Sequence, residues 1–224
     1  MRCTNLKAIL FDLEDTLVVS GYRWSPGLMV DLRRQAREVL IRNGVPANVL
    51  GGVVRYTLLR NLSFRWAEEN LDPSESARLR DAVEAMMKPF DEDTAEKAEL
   101  FPDTLEALSM LTRNGVAMGL VTNTSTAAAL RMMDRFDMKG FFPVVVSRND
   151  VPLLKPDPAM LYKAKEMLGI DVGWMVGDSI FDADAARSIG IRSIIVRRDG
   201  VKPEFEHDHF ISSLEGVYPL ISGS

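Results

Sequence analysis

The feature that most constrains this chain is an alternation of two patterns. Short runs that are apolar at nearly every position, KAILF (7–11), VAMGLVT (116–122), FPVVVS (142–147), GWMVG (173–177) and SIIVR (193–197), are separated by segments whose apolar residues recur every three or four. Those segments, DTLEALSMLTRNG (103–115), STAAALRMMDRF (125–136), PAMLYKAKEMLG (158–169) and FDADAARSIG (181–190), often close on glycine, the mark of helix ends. Strands that are apolar on both faces and joined by helices predict a doubly wound, Rossmann-like α/β domain with a parallel sheet.

One segment breaks the rhythm. Between Val18 and Leu100 no buried strand can be read, only helical stretches at 26–44, 47–70 and 73–90. That is too long for a crossover between neighbouring strands. The expected division is therefore an α/β core, residues 1–17 and 100–224, interrupted by a helical domain, residues 18–99, placed to act as a lid.

Composition narrows the partners. The 224 residues include 46% hydrophobic side chains, enough for a sizeable core. A net charge of -5 argues against a broad nucleic-acid or anionic-membrane surface. No run approaches a membrane span, and no signal-peptide core is visible. The single cysteine, Cys3, cannot form an internal disulfide, which suits a reducing compartment. The expectation is a cytoplasmic protein acting on small molecules; nothing in the sequence sets its oligomeric state.

Polar residues gather where the strand-like runs end: Asp12, Glu14 and Asp15 after the first, TNTS (122–125) after the second, LLKPDP (153–158) past the third and GDSIFD (177–182) after the fourth. Ligands of open α/β sheets bind at that carboxyl edge. Alone, each cluster reads as a cap or turn. In this order they do more.

The set resembles the haloacid dehalogenase superfamily of hydrolases over nearly the whole chain, in particular phosphoglycolate phosphatase-like members with a helical insertion of the first (C1) cap type. The Asp-x-Asp-x-Thr motif matches Asp12 and Thr16, with Glu14 where most phosphatases have Asp. Thr122 matches the second motif, Lys155 the motif-three lysine, and Asp178 and Asp182 the fourth-motif acidic pair. The resemblance implies a Mg²⁺-dependent phosphatase of a small phosphorylated metabolite, working through an aspartyl-phosphate.

The chemistry has its own logic. Phosphoryl transfer asks the protein mainly to position and neutralise. Asp12 suits the nucleophile. Mg²⁺ offsets the repulsion between carboxylate and phosphate, with Asp12, the Glu14 backbone carbonyl, Asp178 and Asp182 as its expected neighbours. Lys155 keeps Asp12 ionised, and Thr122 with the Asn123 backbone N–H can hold the transferring oxygens. Glu14 is then the general acid and base, or else a turn residue marking a feeble enzyme.

Three rivals remain. A dehalogenase typically lacks the motif-one acid and the metal. A phosphonatase needs a cap lysine, and there is none between Lys7 and Lys88. A weak phosphate-binding or interaction module has only Glu14 in its favour. His207 and His209 read as a turn or edge strand, and Met86, Met87, Met132 and Met133 as core. Of Arg33, Arg34, Arg55, Arg60 and Arg65, which lie near Trp24 and Trp66, most should form a solvated face, with one or two free to bind a further anionic group of the substrate.

Overall fold

The computed structural model describes residues 8–21 and 26–223; Cys3, Lys7 and Trp24 lie outside them. Six strands form one parallel sheet: β1 (Ala8–Phe11), β4 (Met118–Val121), β5 (Val144–Val146), β6 (Val172–Gly177), β7 (Arg192–Val196) and β8 (His209–Ile211), in the order β5-β4-β1-β6-β7-β8. β1 is central, pairing Phe11 with Leu120 of β4 and with Val176 of β6. The chain winds outward from β4 to β5, then crosses back to β6 on the other side of β1. The connections therefore reverse direction at the carboxyl ends of β1, β4 and β6, which opens a crevice there.

Alternation along the strands explains the two layers. Ile9, Phe11, Met118, Leu120 and Trp174 enter one core together with α5 (Thr104–Arg113), α6 (Thr126–Arg135) and α9 (Val217–Ser222). Ala8, Leu10, Val121, Val144 and Met175 enter the other, beneath α7 (Ala159–Leu168) and α8 (Ile180–Ser188). Met132 and Met133 are buried in the first. His209 sits on edge strand β8, its ring 5.5 Å from that of Trp174.

The strand-free segment forms α1 (Pro26–Arg42), α2 (Ala47–Leu50), α3 (Tyr56–Asn70) and α4 (Pro73–Lys97), with a core of their own that includes Leu59, Phe64, Leu79, Val83 and Met87. Met86 and Trp66 pack against it. Two boundaries differ from expectation. The 47–70 helix breaks at Gly51, whose φ of 47° is left-handed and so favours glycine. α4 runs seven residues past Phe90, through an internal Pro89, because burial of Phe90, Asp91, Thr94 and Ala95 outweighs the lost hydrogen bond. The segment leaves and returns through a short antiparallel pair, β2 (Val18–Val19) with β3 (Glu99–Leu100). At Gly21, beside this pair, a Cβ would lie 2.7 Å from Thr94 Cα.

Candidate active site

The crevice gathers the residues named from sequence. Asp12 follows β1, Thr122 follows β4, and Asp178 follows β6. Lys155 reaches in from the 151–158 loop, only 2% exposed, and its Nζ donates to Asp12 Oδ1 at 2.7 Å, Asp182 Oδ1 at 2.7 Å and the Val121 carbonyl at 2.9 Å. All three donors of the ammonium are thereby used.

The Lys155 ammonium pairs with two of three clustered acids. Asp12, Asp178 and Asp182 each bring a carboxylate oxygen within 4.8 Å of the others. Burial pushes the Asp12 carboxyl up to about 7 against the pull of Lys155, with Asp182 adding to the rise. Burial likewise raises Asp178 well above the carboxylate range, helped by Asp182 and Asp12. Burial would depress the Lys155 ammonium, but Asp12 and Asp182 hold it above its ordinary value. Such a cluster of carboxylates fits a hard cation with oxygen ligands.

Asp182 is fixed rather than free. Its Oδ2 accepts from Ser179 N at 3.1 Å and Ser179 Oγ at 2.6 Å, a capping box opening α8. Gly177 permits this, since a Cβ there would lie 2.3 Å from the Asp182 carboxyl carbon.

Other side chains are disposed less simply. Thr122 Oγ1 accepts the Thr124 N–H at 3.2 Å. The Asn123 side chain clasps the Lys155 backbone, accepting its N–H at 3.0 Å and donating to its carbonyl at 3.2 Å. The Glu14 carboxylate stands outside the acidic cluster and accepts from Ser20 Oγ at 3.0 Å and from Thr124 Oγ1. Burial raises its pKa against those two hydroxyls.

The helical segment covers this edge. Asn61 and Arg60 of α3 bond the backbone of Leu154 and Pro152, and Arg65 pairs with Asp157 at 2.8 Å. Arg148, 2% exposed just past β5, makes a two-pronged pair with Asp91 of α4 and reaches both Glu84 oxygens. Neither Arg148, Asp91 nor Asn61 was singled out from sequence; the only signal for Arg148 is its place at the end of a strand-like run. Of the arginines in the helical segment, Arg34 pairs with Glu38, and Arg60 is buried beside Glu84.

A family model described as haloacid dehalogenase-like hydrolase matches residues 6–190. The chain belongs to the haloacid dehalogenase-like hydrolase family. It is 30% identical over 216 residues to a phosphoglycolate phosphatase of Salmonella typhi, covering 86% of this chain and 82% of that protein. Solved structures share its fold, two of them with different names. A HAD phosphatase from Thermococcus onnurineus matches with a TM-score of 0.60 at 24% identity, covering 97% of this chain and 99% of that one. A 2-haloacid dehalogenase from Pseudomonas syringae pv. Tomato DC3000 matches with 0.63 at 20% identity, covering 97% and 98%. Haloacid dehalogenase-like hydrolases with different reactions thus share one scaffold, and the choice between them falls to the side chains. Among the described residues, no helix is long and apolar enough to cross a membrane.

Proposed function

We propose that the protein is a Mg²⁺-dependent phosphatase of a small phosphorylated metabolite, with residues 18–99 acting as a cap over a core of 1–17 and 100–224. The observation that carries this is the crowding of the Asp12, Asp178 and Asp182 carboxylates, of which the Lys155 ammonium pairs with Asp12 and Asp182. A dehalogenase has no evident use for that excess of carboxylate. The relatives' phosphoglycolate is the first substrate to try.

Asp12 is the nucleophile. Its carboxylate attacks phosphorus in line, and the bond from phosphorus to the alcohol oxygen breaks. Lys155 favours the ionised form of Asp12 against the effect of burial and holds it by one oxygen, while the Thr122 hydroxyl and the Asn123 backbone N–H receive the transferring oxygens. Asp12, Asp178 and the Glu14 backbone carbonyl would hold Mg²⁺, with Asp182 beside them. When bound, the ion supplies positive charge against the repulsion between carboxylate and phosphate. Glu14, its proton affinity raised by burial, gives a proton to the departing alkoxide. It then takes one from the water that attacks the aspartyl-phosphate, and the bond between phosphorus and Asp12 breaks.

Assay with p-nitrophenyl phosphate and Mg²⁺, with and without EDTA, tests the reading. Turnover that is lost in EDTA and in Asp12→Asn is expected. Activity surviving in Asp12→Asn removes the nucleophile, and halide release from a 2-haloacid by the wild type would favour the dehalogenase instead.

A further inference from the structure

Next to the crevice, but outside the phosphate-handling set, is a cavity of about 300 Å³. Glu14, Asn123 and Thr124 line it from the sheet edge, and Arg33, Arg55 and Tyr56 from the cap helices. Asp12, Thr122, Lys155 and Asp178 do not line it, so its space belongs to whatever the phosphate is attached to.

Two of its buried polar groups lack a partner among the described residues. Tyr56 is 8% exposed, yet its hydroxyl is buried with no partner among the described residues. Arg33 Nε is likewise buried and unpartnered. Neither Arg33 nor Arg55 pairs with a described carboxylate; Arg55 lies instead over the Phe181 ring at 5.0 Å. Nearby arginines differ, since Arg34, Arg60, Arg65 and Arg148 all have carboxylate partners. Asp91, on the same wall, is already matched by Arg148. Buried donors without acceptors call for explanation, and two guanidiniums with a phenol form a set suited to an anion.

Size and charge refine the ligand. The cavity, about 300 Å³ and open to solvent on one side, has room beyond a glycolyl group, which has about four heavy atoms past its ester oxygen. A second phosphate would bring two charges to a space that Asp91 also lines; a carboxylate brings one. From the unpartnered Tyr56 hydroxyl and the carboxylate-free Arg33 and Arg55 in this cavity, we infer that the substrate is a phosphorylated hydroxy or sugar acid longer than phosphoglycolate, its carboxylate held in the cap.

This rests on the phosphatase reading, and the experiment separates the two. Wild-type kcat/KM is measured for p-nitrophenyl phosphate, 2-phosphoglycolate, 4-phosphoerythronate, 6-phosphogluconate, its neutral counterpart sorbitol 6-phosphate, and fructose 1,6-bisphosphate. One of the two longer acids is expected to exceed both sorbitol 6-phosphate and 2-phosphoglycolate by about tenfold or more, the lower range for a charge-assisted hydrogen bond. Arg33→Met and Tyr56→Phe should pull the acid-to-polyol ratio toward one; because it is a ratio, partial misfolding leaves it unmoved. Hydrolysis of p-nitrophenyl phosphate with no acid-over-polyol preference overturns the subsite while keeping the phosphatase. A best rate on 2-phosphoglycolate overturns the length, and one on the bisphosphate overturns the carboxylate. No hydrolysis of any ester overturns the phosphatase reading, and titration of Asp12→Asn with 6-phosphogluconate and sorbitol 6-phosphate then decides the subsite: tighter binding of the acid supports it, equal binding overturns it.

Discussion

Asn61 of the cap helix α3 holds both hydrogen-bonding groups of Leu154, accepting its N–H at 2.9 Å and donating to its carbonyl at 2.7 Å. Asn123 of the core does the same for the next residue, Lys155. The peptide that presents the Lys155 ammonium is therefore gripped from α3 on one side and from the sheet edge on the other.

Asn61→Ala leaves both Leu154 groups without their partner. An unmet buried donor or acceptor costs about 1–3 kcal/mol, so a loss of about 2–4 kcal/mol in denaturant unfolding is expected. Turnover should drop by about tenfold or more through misplacement of Lys155, with faster deuterium exchange across 152–157. Arg65→Ala removes only an exposed pair to the same loop, and unfolding should register less than about 1 kcal/mol. Equal turnover losses in the two variants would assign the effect to cap docking in general.

Binding of Mg²⁺ can be read without catalysis. An ion that binds only the folded state raises the unfolding temperature with concentration. Millimolar Mg²⁺ should stabilise the wild type and not Asp178→Asn. A shift of the same size in both would move the ion away from Asp178.

Glu14→Gln tests the proton donor through the leaving group. General acid assistance is typically worth about 100- to 10,000-fold, and it matters most when a poor leaving group departs. The variant should lose far more activity on an alkyl phosphate than on p-nitrophenyl phosphate, provided burst kinetics show that phosphorylation of Asp12 limits both. Equal losses would leave Glu14 as the acceptor of Ser20 and Thr124 and nothing more.

Acid stability depends on Asp103. Burial pushes this carboxyl up, but hydrogen bonds from Arg198, Ser213 and the Leu214 N–H win and hold it below 3.8. A depressed folded pKa gives stability that is complete above the unfolded value and lost as pH falls through the folded one. Asp103→Asn should therefore melt below wild type at pH 7, and the gap should narrow below about pH 3.8. A gap constant down to pH 2 would remove the charge from the account.

Much of this was legible in the sequence, for identifiable reasons. Fully apolar runs marked β1 and β4 to β7, five of the six strands of the sheet, because a strand buried on both faces has nowhere to hide a polar residue. β8 was less visible: His209–Ile211 is a half-buried edge strand of three residues, and its place comes from pairing with β7. Asp12, Lys155 and Asp182 could be named from their positions at strand ends, and they converge. Asp91 could not, because it falls just past the 73–90 helical pattern, whereas tertiary burial carries the helix on to Lys97. Arg148 and Asn61 carry no local signature, since a buried guanidinium and a helical amide get their meaning from partners 57 and 93 residues away.

The pairing of Val18–Val19 with Glu99–Leu100 bears on how such a protein can change over evolutionary time. Because the ends of the inserted segment already meet, its length can vary at small entropic cost, and the sheet beneath keeps its register. A lineage could thus exchange one set of substrate contacts for another while inheriting the reaction intact. The new segment would have to bring with it an amide to grip Leu154 and a carboxylate to answer Arg148.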